Sequence, residues 1–182
     1  MRPCFPSTLA LLAFLLAPAP ATSQTPPPPP SPADVQSLDA ILAAVYDVIS
    51  GPAGQERDWD RFRSLFVPGA RLIPTGRDQA GNVRNRVLTP DEYIQSSGPF
   101  LVERGFFETE IGRVVERYGP VVHLMSAYES RNRADDPEPF QRGVNSFQLL
   151  DDGERWWVVS IYWSAETPDN PIPERFLKGA GR

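Results

Sequence analysis

Four stretches in the second half of the chain constrain its fold most, because each is rich in β-branched and aromatic residues. They span residues 106–118, 121–131, 143–150 and 155–163. Gly119-Pro120 separates the first two, and Asp152-Gly153 separates the last two. Such turn residues between alternating runs are typical of antiparallel hairpins. The sequence therefore predicts a sheet of long antiparallel strands.

The first half of the chain predicts three helices. Capping residues place their starts at Asp34, Asp58 and Thr89, and apolar residues recur every three or four positions in the first of them. A short strand is predicted at residues 70–73. Helices that precede a sheet bury one of its faces, so we expect an α+β domain with three N-terminal helices packed against a curved antiparallel sheet.

The N-terminus has the features of a cleaved secretory signal peptide, predicted at residues 1–21. Arg2 precedes an apolar run over residues 9–16, and Ala19-Pro20-Ala21 provides small residues for cleavage. The apolar run is shorter than the roughly 20 residues of a spanning helix, so no membrane span is expected. Cys4, the single cysteine, would leave with the signal. The sequence thus predicts a secreted or periplasmic protein without disulfides.

Three further segments follow the signal. Residues 22–33 are rich in proline and predict an extended linker, although a proline ligand for a partner domain is an alternative interpretation. Residues 34–176 have the length of one domain. Residues 177–182 are expected to form a flexible tail.

The charge and the histidine content exclude several classes of function. The formal net charge is -5 and no basic stripe is present, so neither nucleic acid nor an anionic membrane is an expected partner. His123 is the single histidine. We therefore predict neither a metal site nor another cofactor.

The order of the elements, together with the hairpin over residues 143–160, resembles the nuclear transport factor two-like superfamily, which includes the SnoaL-like and ketosteroid-isomerase-like proteins. The resemblance covers nearly all of the predicted domain and implies a cone-shaped sheet around a pocket. Isomerases, dehydratases, epoxide hydrolases and transport adaptors all use this fold, so the resemblance implies no single activity.

A two-residue turn at Asp152-Gly153 predicts which residues of the last hairpin share the pocket face. The expected cross-strand pairs are Leu149 with Trp156, Phe147 with Val158, Asn145 with Ser160, and Gly143 with Tyr162. An apolar concavity with a few polar groups is typical of a small-ligand site. Asn145 and Ser160 are accordingly the leading polar pair.

Resemblance to the isomerase branch places Asn145 where that branch has an acid of its oxyanion hole, and it makes Tyr46 the partner of that group. Both side chains can donate a hydrogen bond to an oxygen, which would form an electrophilic clamp. The branch also needs a general base on the strand after the second helix. Residues 71–75 contain no carboxylate, and Asp78 lies in the following loop.

The resemblance also assigns faces to the strand over residues 121–131, with His123 and Met125 on the outer face. Arg113 would lie opposite Ser126 and face inward, or would instead pair with one of its neighbouring glutamates, Glu108, Glu110 or Glu116. The candidate pocket residues are Tyr46, Arg113, Leu124, Ser126, Tyr128, Asn145, Phe147, Val158, Ser160 and Tyr162.

Three functions remain open from the sequence. The first is an exported single-domain protein that binds a small apolar ligand. The second is an isomerase-like or dehydratase-like enzyme that acts on a small carbonyl compound through the clamp, and it requires a carboxylate near Asn145. The third is an interaction module that forms a homodimer through an outer sheet face with Trp157, Val159, Ile161 and Trp163.

Overall fold

The computed structural model describes residues 29–179. Its helices are α1 (Pro32–Val35), α2 (Leu38–Ile49), α3 (Trp59–Ser64) and α4 (Pro90–Arg104), with a 3-10 helix at Glu174–Leu177. Its strands are β1 (Phe66–Arg77), β2 (Val83–Asn85), β3 (Phe107–Tyr118), β4 (Val121–Arg131), β5 (Gln141–Asp151) and β6 (Trp156–Ala165). The predicted α+β class is confirmed. The predicted signal peptide and residues 22–28 lie outside the described residues.

The six strands form one mixed sheet in the order β2-β1-β6-β5-β4-β3. All neighbours are antiparallel except β1 and β6, which are parallel. The expectation of an antiparallel sheet is therefore wrong for one pair of strands, because β1 pairs with the last strand, β6, as well as with its hairpin partner β2. Within the described residues, no helix is both long and apolar enough to cross a membrane.

The predicted first helix is broken after α1, and Asp34 does not cap it. Its carboxylate instead accepts hydrogen bonds from Nε of Arg61 at 2.8 Å and from a terminal nitrogen of the same guanidinium at 2.9 Å. Ser37 caps α2, since its hydroxyl accepts from the backbone nitrogen of Ala40 at 3.1 Å. The ion pair thus joins α1 to α3. α2 is a separate helix with its own cap at Ser37.

The other two predicted helix starts are confirmed. The carboxylate of Asp58 accepts from the backbone nitrogen of Arg61 at 2.8 Å at the start of α3. Thr89 and Glu92 form a capping box at the start of α4, in which each side chain accepts from the backbone nitrogen of the other residue. α4 then runs to Arg104 and ends at Gly105.

The turn between β5 and β6 is longer than two residues. The backbone nitrogen of Asp152 donates to the carbonyl of Arg155 at 3.2 Å, and β6 begins only at Trp156. Leu149 therefore pairs with Val158 instead of Trp156. This shift of two residues leaves each side chain on its predicted face, because side chains alternate with a period of two.

A β-bulge at Val159 then reverses the faces of the rest of β6. Val159 has no partner on β5, and Ser160 pairs with Gln148. Ile161 is buried, whereas Tyr162 is 47% exposed. The prediction that Ser160 and Tyr162 face the interior is wrong for this reason, and so is the assignment of Ile161 and Trp163 to the outer face.

A second β-bulge, at Ile111 in β3, turns two glutamates toward the helices. Arg113 pairs with Ser126 as predicted. Beyond the unpaired Ile111, Glu110 pairs with Tyr128 and Glu108 pairs with Ser130. Because Tyr128 and Ser130 are buried on the inner face of β4, their partners share that face.

The C-terminal segment lies against β3 at this bulge. A Cβ atom on Gly112 would lie 2.3 Å from the carbonyl oxygen of Phe176, so only glycine permits the contact. The backbone nitrogen of Arg113 donates to the carbonyl of Lys178 at 2.9 Å. The described part of the predicted tail is therefore in contact with the sheet.

Arg57 ties together the chain segments at the ends of α2 and α4. The residue is 6% exposed. Its guanidinium donates to the carbonyls of Ile49 at 3.0 Å, Gly51 at 2.7 Å and Leu101 at 2.9 Å, and also to the carbonyls of Pro52 and Gln55. All five N–H donors of an arginine can thus be satisfied by backbone.

Candidate functional site

A cavity of about 210 Å³ lies between α2, α4 and the inner face of the sheet. Its lining combines aromatic, aliphatic and polar side chains. The aromatic residues are Phe62, Tyr93, Phe100, Phe106, Phe147 and Trp163, the aliphatic residues are Val45, Ile49, Leu72, Leu101 and Ile161, and the polar residues are Ser97, Glu108, Gln141 and Asn145. An apolar wall with a few polar groups is the usual composition of a small-ligand site.

Glu108 is the carboxylate of this cavity, and it is only partly satisfied by protein donors. Its Oε2 accepts from the hydroxyl of Ser130 at 3.0 Å, and its Oε1 accepts from Nδ2 of Asn145 at the long distance of 3.4 Å. Burial raises the pKa of Glu108 to about 7, although both hydrogen bonds favour the charged form. Glu108 can therefore gain or lose a proton near neutral pH.

A chain of hydrogen bonds leads from Asn145 through the interior to Glu110. Nδ2 of Asn145 lies 3.1 Å from the hydroxyl of Tyr46, which lies 2.6 Å from the hydroxyl of Ser126. Ser126 donates its single proton to Oε1 of Glu110 at 2.6 Å. Tyr46 must then donate to Ser126, and Asn145 donates to Tyr46. The chain has one direction and ends on a carboxylate.

Glu110 belongs to a separate open groove of about 580 Å³ on the other side of α2. Arg113 contacts Glu110 at 3.2 Å and Asp39 at 2.8 Å in this groove. Burial raises the pKa of Glu110, while Ser126 and Arg113 act in the opposite direction. Glu108 lines both the groove and the cavity, so the two meet beneath α2.

The predicted pocket residues fall into four groups. Asn145 and Phe147 line the cavity, and Tyr46 and Arg113 line the groove. Three candidate residues on β4 face the interior, as predicted, and they are fully buried together with Val158 of β6. These four are Leu124, Ser126, Tyr128 and Val158. Ser160 and Tyr162 lie on the opposite face of the sheet from Asn145.

The predicted clamp is only partly assembled. The structure brings Tyr46 and Asn145 together, but the Tyr46 hydroxyl is occupied by Ser126 and Asn145 and lines the groove rather than the cavity. Arg113 is paired with Glu110, which is the alternative that the sequence left open.

Glu108 and Trp163 are two of the cavity residues that were not predicted from the sequence. Both were hidden by a bulge, since each bulge reverses the alternation on which faces were assigned. Tyr93 could have been found, because Tyr93, Ser97 and Leu101 recur at four-residue spacing along α4 and share one helix face.

His123 lies on the outer face, as predicted. Its Nε2 is 3.2 Å from the hydroxyl of Ser146, and its Nδ1 is 3.7 Å from the carboxylate of Glu116. The side chain of Glu116 is 79% exposed, and none of the three residues lines the cavity or the groove. Between residues 29 and 179, no group of three histidine, cysteine or acidic side chains could hold a metal ion.

Comparisons with solved structures identify similar folds at low sequence identity. A protein of unknown function with a cystatin-like fold from Nostoc punctiforme is 12% identical, with 75% of this chain and 92% of that chain covered and a TM-score of 0.53. The Kfla4162 protein from Kribbella flavida is 10% identical over 70% and 86% of the two chains, with a TM-score of 0.50. A nuclear transport factor 2-like superfamily protein from Salmonella enterica is 13% identical over 77% and 89%, with a TM-score of 0.49.

No protein-family model matches the sequence, and no curated protein is similar to it. The similar solved structures share few identical residues with this chain, so they show the fold alone. They show a cystatin-like fold, and proteins described as nuclear transport factor 2-like are among the similar structures.

Proposed function

We propose that this chain, which has a nuclear transport factor two-like fold, binds a small and largely apolar molecule in the cavity between α2, α4 and the sheet. The observation that carries the proposal is the position of Glu108 and Asn145 in an otherwise mostly apolar wall. Apolar area supplies binding free energy, and two polar groups fix the orientation of one polar group on the ligand.

The volume of the cavity limits the size of the ligand. An apolar cavity of about 150 Å³ is enough to hold benzene, whereas drug-sized ligands occupy at least about 300 Å³. A cavity of about 210 Å³ therefore fits a single substituted ring or a short branched chain. Phe100 lines the cavity and is also 41% exposed, which favours entry of the ligand beside α4.

We also propose that the protein is exported, and its oligomeric state can be measured directly. The signal-peptide pattern of residues 1–21 supports secretion or transfer to a periplasm. A homodimer through the outer face of the sheet remains a prediction, now without Ile161 and Trp163, whose side chains face the interior. Light scattering during size-exclusion chromatography would decide it.

Binding can be tested with a panel of small cyclic compounds that includes cyclohexanol, cyclohexanone and benzyl alcohol. We expect saturable quenching of tryptophan fluorescence, since Trp163 lines the cavity. Asn145→Ala should weaken binding, whereas Gln148→Ala, on the outer face of the same strand, should not. If no compound of this size binds to the mature chain, the proposal is wrong.

The pKa of Glu108 also favours a second candidate, an enzyme that moves a proton on a small carbonyl compound. The Glu108 carboxylate would remove a proton from the carbon next to the carbonyl, and Asn145 would donate a hydrogen bond to the enolate oxygen. Glu108 would then return the proton to a different carbon, or to the opposite face of the same carbon, so the reaction is an isomerisation with no net change in protons.

Deuterium exchange tests this candidate without a known substrate. Incubation of cyclohexanone in D₂O with the protein should replace the hydrogens next to the carbonyl faster than buffer alone, as followed by proton NMR. Glu108→Gln should reduce exchange to the buffer rate. If exchange is equally fast with and without the protein, the enzyme candidate is wrong and ligand binding is the remaining proposal.

A further inference from the structure

The described wall of the cavity contains one charged side chain, and it is acidic. Among the described residues that line it, Glu108 carries the only formally charged side chain at neutral pH, and none is basic. Arg104 does not line the cavity, and its guanidinium lies 5.0 Å from the ring centre of Phe100 at the exposed side. A charged ligand would therefore meet a negative group and no positive partner.

The negative charge of Glu108 acts on several neighbouring tyrosines. Burial raises the pKa of Tyr93 and of Tyr46, and the charge of Glu108 raises both further. Burial raises the pKa of Tyr128 to about 12, again with a contribution from Glu108. The charge of Glu108 thus disfavours a second negative charge beside it and favours a positive one.

Aromatic rings form the largest group of lining residues. Six of the fifteen lining residues are aromatic, and Tyr93 contacts both Phe62 and Trp163, with ring centres 5.5 Å and 6.2 Å apart. The faces of aromatic rings attract cations, and the attraction increases when the cation is removed from water. A carboxylate beside several rings is the combination that recognises an organic ammonium group.

We propose that the ligand of this cavity is a small organic ammonium ion, whose charged nitrogen contacts Glu108 and whose apolar part contacts the aromatic wall. The inference rests on the proposed binding function and specifies its ligand. Removal of an ammonium ion from water is unfavourable, and an unpaired one would be excluded. Here the carboxylate is already half-buried in the free protein, so binding supplies the counter-ion that it lacks.

The hydrogen bonds of Glu108 leave capacity for such a ligand. A carboxylate has about four lone-pair positions, and Ser130 and Asn145 occupy two of them, the latter at 3.4 Å. A neutral alcohol could use a third position but would leave the charge uncompensated. A ligand carboxylate would be repelled unless one of the two acids were protonated.

Binding of a cation should also release protons near neutral pH. A positive charge next to Glu108 favours its ionised form, so a fraction of the protein that is protonated before binding must lose that proton. The titratable or polar groups that face Glu108 come from α2 (Tyr46), α4 (Tyr93), β4 (Tyr128 and Ser130) and β5 (Gln141 and Asn145), with Glu110 on its own strand. None of them supplies a positive charge.

Three compounds with one carbon skeleton separate the effect of charge from that of shape. Benzylamine, benzyl alcohol and benzoate would be titrated into the mature chain by isothermal titration calorimetry at about pH 8, where both the amine and Glu108 are mostly charged. We expect benzylamine to bind about tenfold more tightly than benzyl alcohol, and benzoate to bind more weakly than either. At about pH 7, the enthalpy of amine binding should vary with the ionisation enthalpy of the buffer.

Variants decide whether Glu108 causes the preference. E108Q should lower the affinity for benzylamine about tenfold and change that for benzyl alcohol by less than about threefold. E154Q, in the exposed turn between β5 and β6, is the matched control and should leave both affinities unchanged. Circular dichroism would establish that E108Q is folded.

The outcomes distinguish this inference from the proposed function. Equal or tighter binding of the alcohol, or an amine affinity that E108Q does not change, would overturn the ammonium assignment and leave a binding site for neutral compounds. Failure of all three compounds, together with the larger cyclic panel, would overturn the binding function itself.

Discussion

Arg57 and Glu108 are both ionisable side chains inside the molecule, and their surroundings differ. Arg57 donates to five backbone carbonyls from the ends of the helices and the loops between them. Glu108 accepts one hydrogen bond of ordinary length and one long one, and it faces a cavity. One charge is fully satisfied by the protein, and the other is not.

This difference separates a structural charge from one that is available to a ligand. A buried charge is tolerated when the chain supplies all of its hydrogen bonds, as it does for Arg57. Burial raises the pKa of Glu108, and the two hydrogen bonds that the chain supplies do not offset this effect, so the remaining interactions are left to a proton or a ligand. The two residues should therefore respond to substitution in opposite directions.

Arg57→Met should produce the largest effect, because it leaves several carbonyls without a donor. We expect the free energy of unfolding to fall by roughly 3–5 kcal/mol, as when one partner of a buried ionic interaction is removed. Urea denaturation followed by circular dichroism would measure it. Arg133→Ala removes an exposed arginine and should cause no measurable change; a similar stability for both variants would contradict the structural role of Arg57.

Glu108→Gln should stabilise the protein, and only above acidic pH. Since the pKa is about 7 in the folded state and lower in the unfolded chain, the folded state binds the proton more tightly. The destabilisation by Glu108 is absent well below pH 4, grows as the pH rises through the range between the two pKa values, and is complete above pH 7, where it reaches about 3 kcal/mol.

Urea denaturation of wild type and Glu108→Gln at about pH 4, 6 and 8 would test this sign. The two proteins should have similar stability at the lowest pH, and the variant should be more stable at the highest. Glu154→Gln should follow the wild type throughout. A variant that is less stable than wild type at the highest pH would mean that the Glu108 charge is structural, like that of Arg57.

Tyr46→Phe should have an intermediate effect, because it interrupts the hydrogen-bond chain between the cavity and the groove. Ser126 loses a donor and Asn145 loses an acceptor in the interior. We expect a loss of about 1–2 kcal/mol in the free energy of unfolding. Tyr162→Phe, on the exposed face, is the control. An equal loss of unfolding free energy in the two variants would mean that the hydrogen bonds of Tyr46 do not stabilise the fold.

Ser130→Ala should have the smallest effect and would sharpen the comparison. Ser130 donates to the charged form of Glu108, so its removal should raise the pKa of that carboxyl above about 7. A ¹³C NMR titration of the glutamate side chains would show the shift. Ser146→Ala, on the outer face, should leave the titration unchanged.

The sequence predicted those features that depend on local signals. The caps at Asp58 and Thr89, the hairpin at Gly119-Pro120, and the pairing of Arg113 with Ser126 are all confirmed. Each depends on residues close in sequence, whose turn or cap chemistry is specific. The parallel pairing of β1 with β6 joins residues about 90 positions apart in the chain and left no local signal.

The site was predicted in part, for a related reason. Asn145 and Phe147 lie on regular β5 and were assigned to the correct face. Glu108 and Trp163 lie beyond bulges, where alternation assigns the wrong face. The bulges at Ile111 and Val159 have no distinctive residue of their own, although Gly112 follows the first and its lack of a Cβ admits the C-terminal segment.

The two bulges also determine how this cavity would tolerate a change in chain length. Deletion of Ile111 would remove the extra residue of β3 and leave Glu110 opposite Tyr128 and Glu108 opposite Ser130, so both acids would keep their face. Deletion of Val159 would likewise leave Ser160 opposite Gln148 and Ile161 opposite Phe147. In comparisons among relatives, a one-residue gap at either position would therefore be compatible with the same cavity wall, whereas a substitution of Glu108 or Trp163 would change it.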